Sequence, residues 1–234
     1  MSAMPSAPAA PRTVAERLAA LARHQARLRR CRRCPDMTGP PVVGAPVLSP
    51  VLLVGQAPGS REIELRRPFA WTAGKTLFRW FETIGLDEET FRARVYMAAV
   101  CRCFPGKAPK GGDRVPSESE VARCAPWLEA EIALLRPRLV IPTGRLAIAR
   151  FLDHRALAEV VGRVHPVRIG HRTVDVVPLP HPSGASVWHR TEPGRSLLER
   201  ALALIAAHPA WRAILRRPPP RGGTAPQAGS RPRA

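Results

Sequence analysis

The chain alternates short apolar runs with amphipathic stretches. Four runs read as strands: Val51-Leu52-Leu53-Val54, Val95 to Val100, Leu139-Val140-Ile141-Pro142, and Arg172 to Leu179. Short apolar runs bounded by turn residues fit strands buried on both faces of a sheet. Helical patterns lie between them. Thr13-Val14-Ala15-Glu16 has capping-box spacing and predicts a helix to about Arg30. Its apolar positions are Val14, Leu18, Leu21 and Leu28; Arg23, Arg27, Arg29 and Arg30 take the other face. After Gly74 a helix carries Leu77, Phe78, Trp80, Phe81 and Ile84 and ends at Gly85. Ser117-Glu118-Ser119-Glu120 is a second capping box, opening a helix with Val121, Cys124, Leu128, Ile132 and Leu135 on one face. Thr143-Gly144 opens another to about Leu152, and Leu197 to Ala207 forms the last. This alternation predicts an α/β fold: a three-layer α/β/α domain around a central, mainly parallel four-stranded sheet.

That domain is expected over residues 13–208. Residues 1–12, of Ala, Pro and Ser, cannot bury a core and read as a disordered tail. Residues 209–234 read as a second one, basic and rich in Pro; from Arg212 on it has six Arg and neither acid nor Lys. No internal repeat is visible.

Charge changes the picture next. Lys and Arg total 37 against 18 Asp and Glu, a formal net charge of +19. Such an excess favours a polyanionic partner, nucleic acid before a membrane surface. Nearly all of it is Arg, the better ligand for phosphate and base edges. Arg, Ala and Pro are abundant together, so part of the excess reflects general composition. Five cysteines suit neither a disulfide scaffold nor a secreted domain. There is no apolar N-terminal leader pattern and no membrane-length apolar run. The expectation is a cytoplasmic monomer.

Three stretches carry candidate chemistry. In residues 51–74 a strand breaks into Gly55, Pro58 and Gly59, then a charged loop, Pro68-Phe69 and Gly74. Such a break places backbone N–H groups and a few side chains at the carboxyl edge of a sheet, where ligands of open α/β folds sit. The second stretch is Pro180-His181-Pro182-Ser183-Gly184-Ala185-Ser186, after the last strand. The third is dispersed: Cys31 and Cys34, Cys101 and Cys103, then Cys124. A lone C-x-x-C is ambiguous between redox, zinc and cluster chemistry. Residues 105–116 form a long basic loop in which Lys107, Lys110 and Arg114 can follow a phosphate backbone or merely be solvated.

Taken in order, these motifs resemble the uracil-DNA glycosylase superfamily, most closely its iron–sulfur, family 4-like branch. The branch has a GEAPG loop, an acidic pair, PFVGxAG and a later HP loop. The chain has Gly55-Gln56-Ala57-Pro58-Gly59, Glu62-Ile63, Pro68-Phe69-Ala70-Trp71-Thr72-Ala73-Gly74 and His181-Pro182. The likeness spans roughly residues 31–205. It implies a DNA glycosylase that flips a base out of the stack and hydrolyses its N-glycosidic bond, with uracil, or another deaminated base, as substrate. His181 would donate a hydrogen bond to the departing base. Glu62 would orient water or stabilise the cationic sugar, and Phe69 would stack on the base. Gln56 and Ala57 would line the pocket, and Ser183 would hold a phosphate. The resemblance also implies four thiolate ligands, Cys31, Cys34, Cys103 and Cys124, for a structural [4Fe–4S] cluster. A zinc site is the alternative, although Cys124 lacks the close mate zinc sites usually show.

Four departures bear on activity. The second-position Glu of the first motif is Gln56, and the acid after Glu62 is Ile63. The Asn that reads the uracil edge falls on Ala99, and the wedge position of the HP loop is Ala185, for which Trp188 is a candidate replacement. Gln56 and Ala99 also fit a second reading, a superfamily member that binds DNA through its charge and cluster with altered or lost catalysis.

Overall fold

The computed structural model describes residues 13–109 and 111–217. Its sheet is built on β1 (Val51–Gly55), β2 (Tyr96–Ala99), β3 (Leu139–Pro142), β4 (His165–Ile169) and β5 (Arg172–Val176). The spatial order is β2-β1-β3-β5-β4. All neighbours are parallel except β4 and β5, which pair antiparallel. The chain leaves β1 towards β2 and returns to β3 on the opposite side. The loops after β1 and β3 therefore diverge, leaving a crevice at their carboxyl ends, where such sheets bind ligands.

The sheet has five strands rather than the expected four. β4 escapes detection because only one of its faces is covered, and Pro166 interrupts its pattern. A proline is tolerated there because the strand lies at the sheet edge. Gly170, at φ 59°, and His171 turn the chain directly into β5.

Helices cover both faces. On one lie α1 (Val14–Arg29) and α5 (Glu118–Leu135), against Leu52, Val54, Tyr96, Val140, Val174 and Val176. Both predicted capping boxes form: Thr13 with Glu16 and Ser117 with Glu120. In α1 only Leu21 and Leu28 of the predicted apolar set are buried; Val14 and Leu18 are exposed. A buried polar chain crosses this layer. Gln25 of α1 donates to Tyr96 Oη at 3.1 Å, and Tyr96 donates to Glu131 of α5 at 2.6 Å. The Arg102 guanidinium pairs with the same carboxylate.

The other face is covered by α3 (Thr72–Glu82), α4 (Glu88–Arg94), α8 (Gly194–Ala207) and α9 (Pro209–Leu215), packed on Val51, Leu53, Met97, Leu139 and Ile141. Short helices α2 (Ser60–Leu65), α6 (Arg145–Ile148) and α7 (Leu157–Val160) complete the connections. The helix α9 corrects the expected tail boundary. Residues 209–217 belong to the folded unit, with Trp211 fully buried, stacked on Phe81 and donating its indole N–H to Ile84 O at 3.1 Å. The expected tail segments 1–12 and 218–234 lie outside the described residues.

Candidate active site

The loop after β1 is held by its own side chains. Glu62 sits at the third position of α2, and its Oε2 accepts the Gly59 N–H at 2.7 Å. The residue is buried, which pushes its carboxyl above the usual range; the N–H of Gly59 pulls it back and Asp113 adds to the rise. Gln56 turns towards the loop after β3, where its Oε1 accepts the Leu146 N–H at 3.0 Å. Ala57 is half-buried against the α1–α5 layer.

Phe69 takes a left-handed backbone conformation, φ 50°. Its ring lies on the end of β1: a Cβ on Gly55 would stand 2.7 Å from Phe69 Cζ. Two features hold the loop there. A Cβ on Gly74 would stand 1.8 Å from Phe69 O, so α3 can start this close only with glycine. Arg92 of α4 donates to Pro68 O at 2.8 Å and to Phe69 O at 3.0 Å, while pairing with Glu88. Ala99, at the end of β2, is opposite Gly55 in register. It presents a methyl group to the strand end on which Phe69 rests.

The His181 loop closes the arrangement. The Ser183 N–H donates to His181 Nδ1 at 3.2 Å, so a neutral ring carries its proton on Nε2. Burial lowers the pKa of this imidazole, which favours the neutral ring. Gly144, φ 91°, brings His181 and Gln56 together: a Cβ there would stand 2.9 Å from His181 Cδ2 and 3.0 Å from Gln56 Cδ. Gln56, Phe69, Ala99, His181 and Ser183 thus gather at the carboxyl ends of β1, β2 and β3. Glu62 stands in the first turn of α2, the helix that follows the first of these ends.

Several residues differ from expectation. Trp188 is not free to wedge into a base stack. It packs against the apolar core, and Gly194 lies tightly on it. Val187 is a large exposed apolar side chain of that loop. In the basic loop, Lys107 pairs with Asp113 at 2.6 Å, and Arg114 forks onto Glu120 at 2.7 and 2.6 Å. Both cations are committed within the protein, and Lys110 lies outside the described residues. A different basic hollow of about 380 Å³, lined by Arg29, Arg66, Arg67 and Arg92, lies against Pro68. Sequence reasoning missed Arg92, whose role depends on a carbonyl more than twenty positions away.

The cysteines form one neighbourhood. Cys31 and Cys34 follow the end of α1, Cys101 and Cys103 follow β2, and Cys124 lies in α5. The first segment is tied to the second by a bridge between Thr38 and Phe104, and to α5 by Arg123 donating to Arg33 O at 3.4 Å. All five are free thiols. Cys101 donates to Cys124 and, with Arg102 beside it, holds that thiol down at about 7 despite burial. Burial and the charges of Cys124, Cys31 and Cys34 push Cys103 up to about 12. Cys34 is raised likewise, by burial first and then by Cys124 and Cys31, a repulsion that a cationic centre among these thiols would relieve. Among the described residues, no group of three or more His, Cys, Asp or Glu closes on a single metal ion. No described helix is long and apolar enough to cross a membrane.

A stretch of 138 residues is 32% identical to the type-4 uracil-DNA glycosylase of Pyrobaculum aerophilum, spanning 57% of this chain and 66% of that protein, just under two thirds of its length. The type-4 enzyme of Archaeoglobus fulgidus is 31% identical over 148 residues, 61% of this chain and 68% of the relative. That of Thermotoga maritima is 28% identical over 161 residues, 67% of this chain and 78% of the relative. These relatives carry the name of the branch that the motifs resemble. The family model described as the uracil DNA glycosylase superfamily matches residues 41–212, from the approach to β1 into α9, and the chain belongs to that superfamily.

Proposed function

We propose that the protein removes uracil from DNA by hydrolysing its N-glycosidic bond, as the names of its type-4 relatives state for them. One observation carries this reading: a neutral His181, its Nδ1 occupied by the Ser183 N–H, meets Gln56 at Gly144, on the same edge of the sheet where the ring of Phe69 lies on the end of β1. Breaking the bond leaves negative charge on the base and positive charge on the sugar. The His181 N–H is a fixed donor for the base oxygen where that charge grows. Phe69 supplies a flat apolar face for the extruded ring. Glu62 supplies a carboxylate for the cationic sugar or the attacking water. The Ser183 segment and the arginine-lined hollow beside Pro68 supply phosphate contacts on either side.

Cys31, Cys34, Cys103 and Cys124 would hold a [4Fe–4S] cluster, which when bound joins the 31–34 segment to the 101–124 segment. The residues that act on the base belong to other loops. At the base edge, Ala99 offers no amide, and Gln56 spends its carbonyl oxygen on Leu146. Discrimination of uracil from cytosine is therefore weaker than with an Asn at 99, by about 1–3 kcal/mol as for other bidentate base contacts.

The test is strand cleavage by alkali after incubation with single- and double-stranded oligonucleotides carrying uracil, hypoxanthine, xanthine or a normal base. Uracil release is expected, falling about 10²–10³-fold in His181→Ala, the usual effect of losing one such donor. Folded protein that binds these oligonucleotides and releases no base would overturn the reading in favour of a DNA-binding role.

A further inference from the structure

Asp113 stands outside every motif above, in the middle of the basic loop, yet the fold brings it to the active site. The loop turns back on itself as a small hairpin. Ala108 N–H donates to Gly112 O, Gly111 N–H to Ala108 O, and Arg114 N–H to Gly106 O, each at 3.0 Å. Lys107 and Asp113 face each other across it. Its base is anchored by Arg114, forked onto the buried carboxylate of Glu120 in the first turn of α5. That anchor directs Asp113 to the start of α2. A Cβ on Gly59 would stand 3.1 Å from Asp113 Oδ2 and 2.8 Å from Glu62 Oε2, so both carboxylates border the same small space. Both Glu62 and His181 feel its charge.

The two carboxylates differ in freedom. Glu62 is buried, and Oε2 is spent on capping α2. Asp113 is exposed to solvent, and its partner is the flexible Lys107. Gln56 cannot accept a proton from water, and its oxygen is already engaged.

We propose that Asp113 is a catalytic residue of this site, the base that takes the proton of the attacking water, while Glu62 faces the cationic sugar. This rests on the reading of the protein as a uracil-excising hydrolase. In the step, the water oxygen bonds to C1′ as the C1′–N bond breaks. The electron pair of that bond leaves with the base, whose oxygen is held by the His181 N–H. The water proton passes to the Asp113 carboxylate and then to the departed base.

The experiment measures single-turnover uracil release and oligonucleotide affinity for the wild-type chain, Asp113→Gly, Asp113→Glu and Lys107→Ala. Loss of a general base typically costs about 10²-fold or more. Asp113→Gly is expected to lose at least about a hundredfold in rate with affinity within about threefold, to regain rate with added formate, and to be partly replaced by Asp113→Glu. A hairpin-closing role instead predicts that Lys107→Ala loses as much rate as Asp113→Gly and that formate restores neither, which overturns the proposal. Wild-type rate in Asp113→Gly overturns it too, leaving the excision reading intact. Absence of uracil release from the folded wild-type chain removes the excision reading itself, and the proposal with it.

Discussion

Glu62 joins two demands in one side chain. It holds the first turn of α2 through the Gly59 N–H, and it does so buried, next to Asp113. Burial raises its carboxyl above the ordinary range, so proton loss costs more in the folded chain than in the unfolded one. The sign for stability follows: the folded state loses ground as pH rises from the ordinary carboxyl range through the raised value. In the proposed reaction the sign for activity is opposite, because a cationic sugar would need the ionised form. Rate should be present above the raised value and lost as pH falls through it, earlier than for an exposed glutamate. Glu62→Gln keeps an oxygen for Gly59 but cannot ionise. It is expected to lose at least about a hundredfold in uracil release while melting no lower than the wild type at neutral pH. Release rates and melting scans between pH 5 and 8 check both halves. A lower melting temperature with retained rate would reduce Glu62 to a helix cap.

At the scale of elements, the segment from α2 to α3 works as a clamp for one ring. Arg66 and Phe69 both take left-handed conformations, and the turn is held by Arg92 from α4 and by the glycine at the start of α3. Gly74→Ala must move the Phe69 carbonyl or the first turn of α3. A misplacement of about 1 Å can cost on the order of a hundredfold when geometry is the source of rate. Gly74→Ala is thus expected to reduce uracil release by about that factor with the sheet and its cysteine segments intact, as read by single-turnover rates beside circular dichroism. On the opposite side, the cysteine segments converge from α1, the end of β2 and α5. Protein prepared without oxygen is expected to contain iron and sulfide in equal amounts. Cys124→Ala should lose both and melt lower, whereas Cys101→Ser should keep them. Zinc in place of iron in the wild type would point to the tetrahedral alternative.

For the molecule as a whole, the two faces of the sheet divide the work. The α1–α5 layer carries the thiols and the buried Glu131–Arg102 pair, and the other layer supports the Phe69 clamp. The helix α9 completes this second layer: Trp211 and Ile214 are fully buried, and His208 at its start reaches Asp175 of β5 at 3.1 Å. Trp211→Ala is expected to cost about 3–5 kcal/mol, as for other buried aromatic truncations. Urea unfolding followed by circular dichroism measures this. A cost near zero would mean that residues 209–217 are dispensable, as their Arg- and Pro-rich context suggests.

The sequence by itself determined what local pattern can carry. Apolar runs marked four strands, most clearly β1 and β3, because strands buried on both faces leave a continuous signature. Thr13 and Glu16, and Ser117 and Glu120, marked two helix starts, because capping is a contact between residues three apart. The order of the Gly55, Glu62, Phe69 and His181 motifs pointed to the superfamily. Other features were decided only when distant segments met. β4 is half exposed and carries a proline, so its pairing with β5 rather than its composition makes it a strand. The buried indole of Trp211 outweighs the composition of the tail that follows it. Arg92 gains its role from two carbonyls more than twenty residues back, and Trp188 loses its expected role to the core. Asp113 is polar and lies in a glycine-rich loop, with no period to mark it. Its place beside Glu62 follows from the Arg114–Glu120 anchor. A chemical site depends on distances between side chains, and those distances are properties of the packed chain.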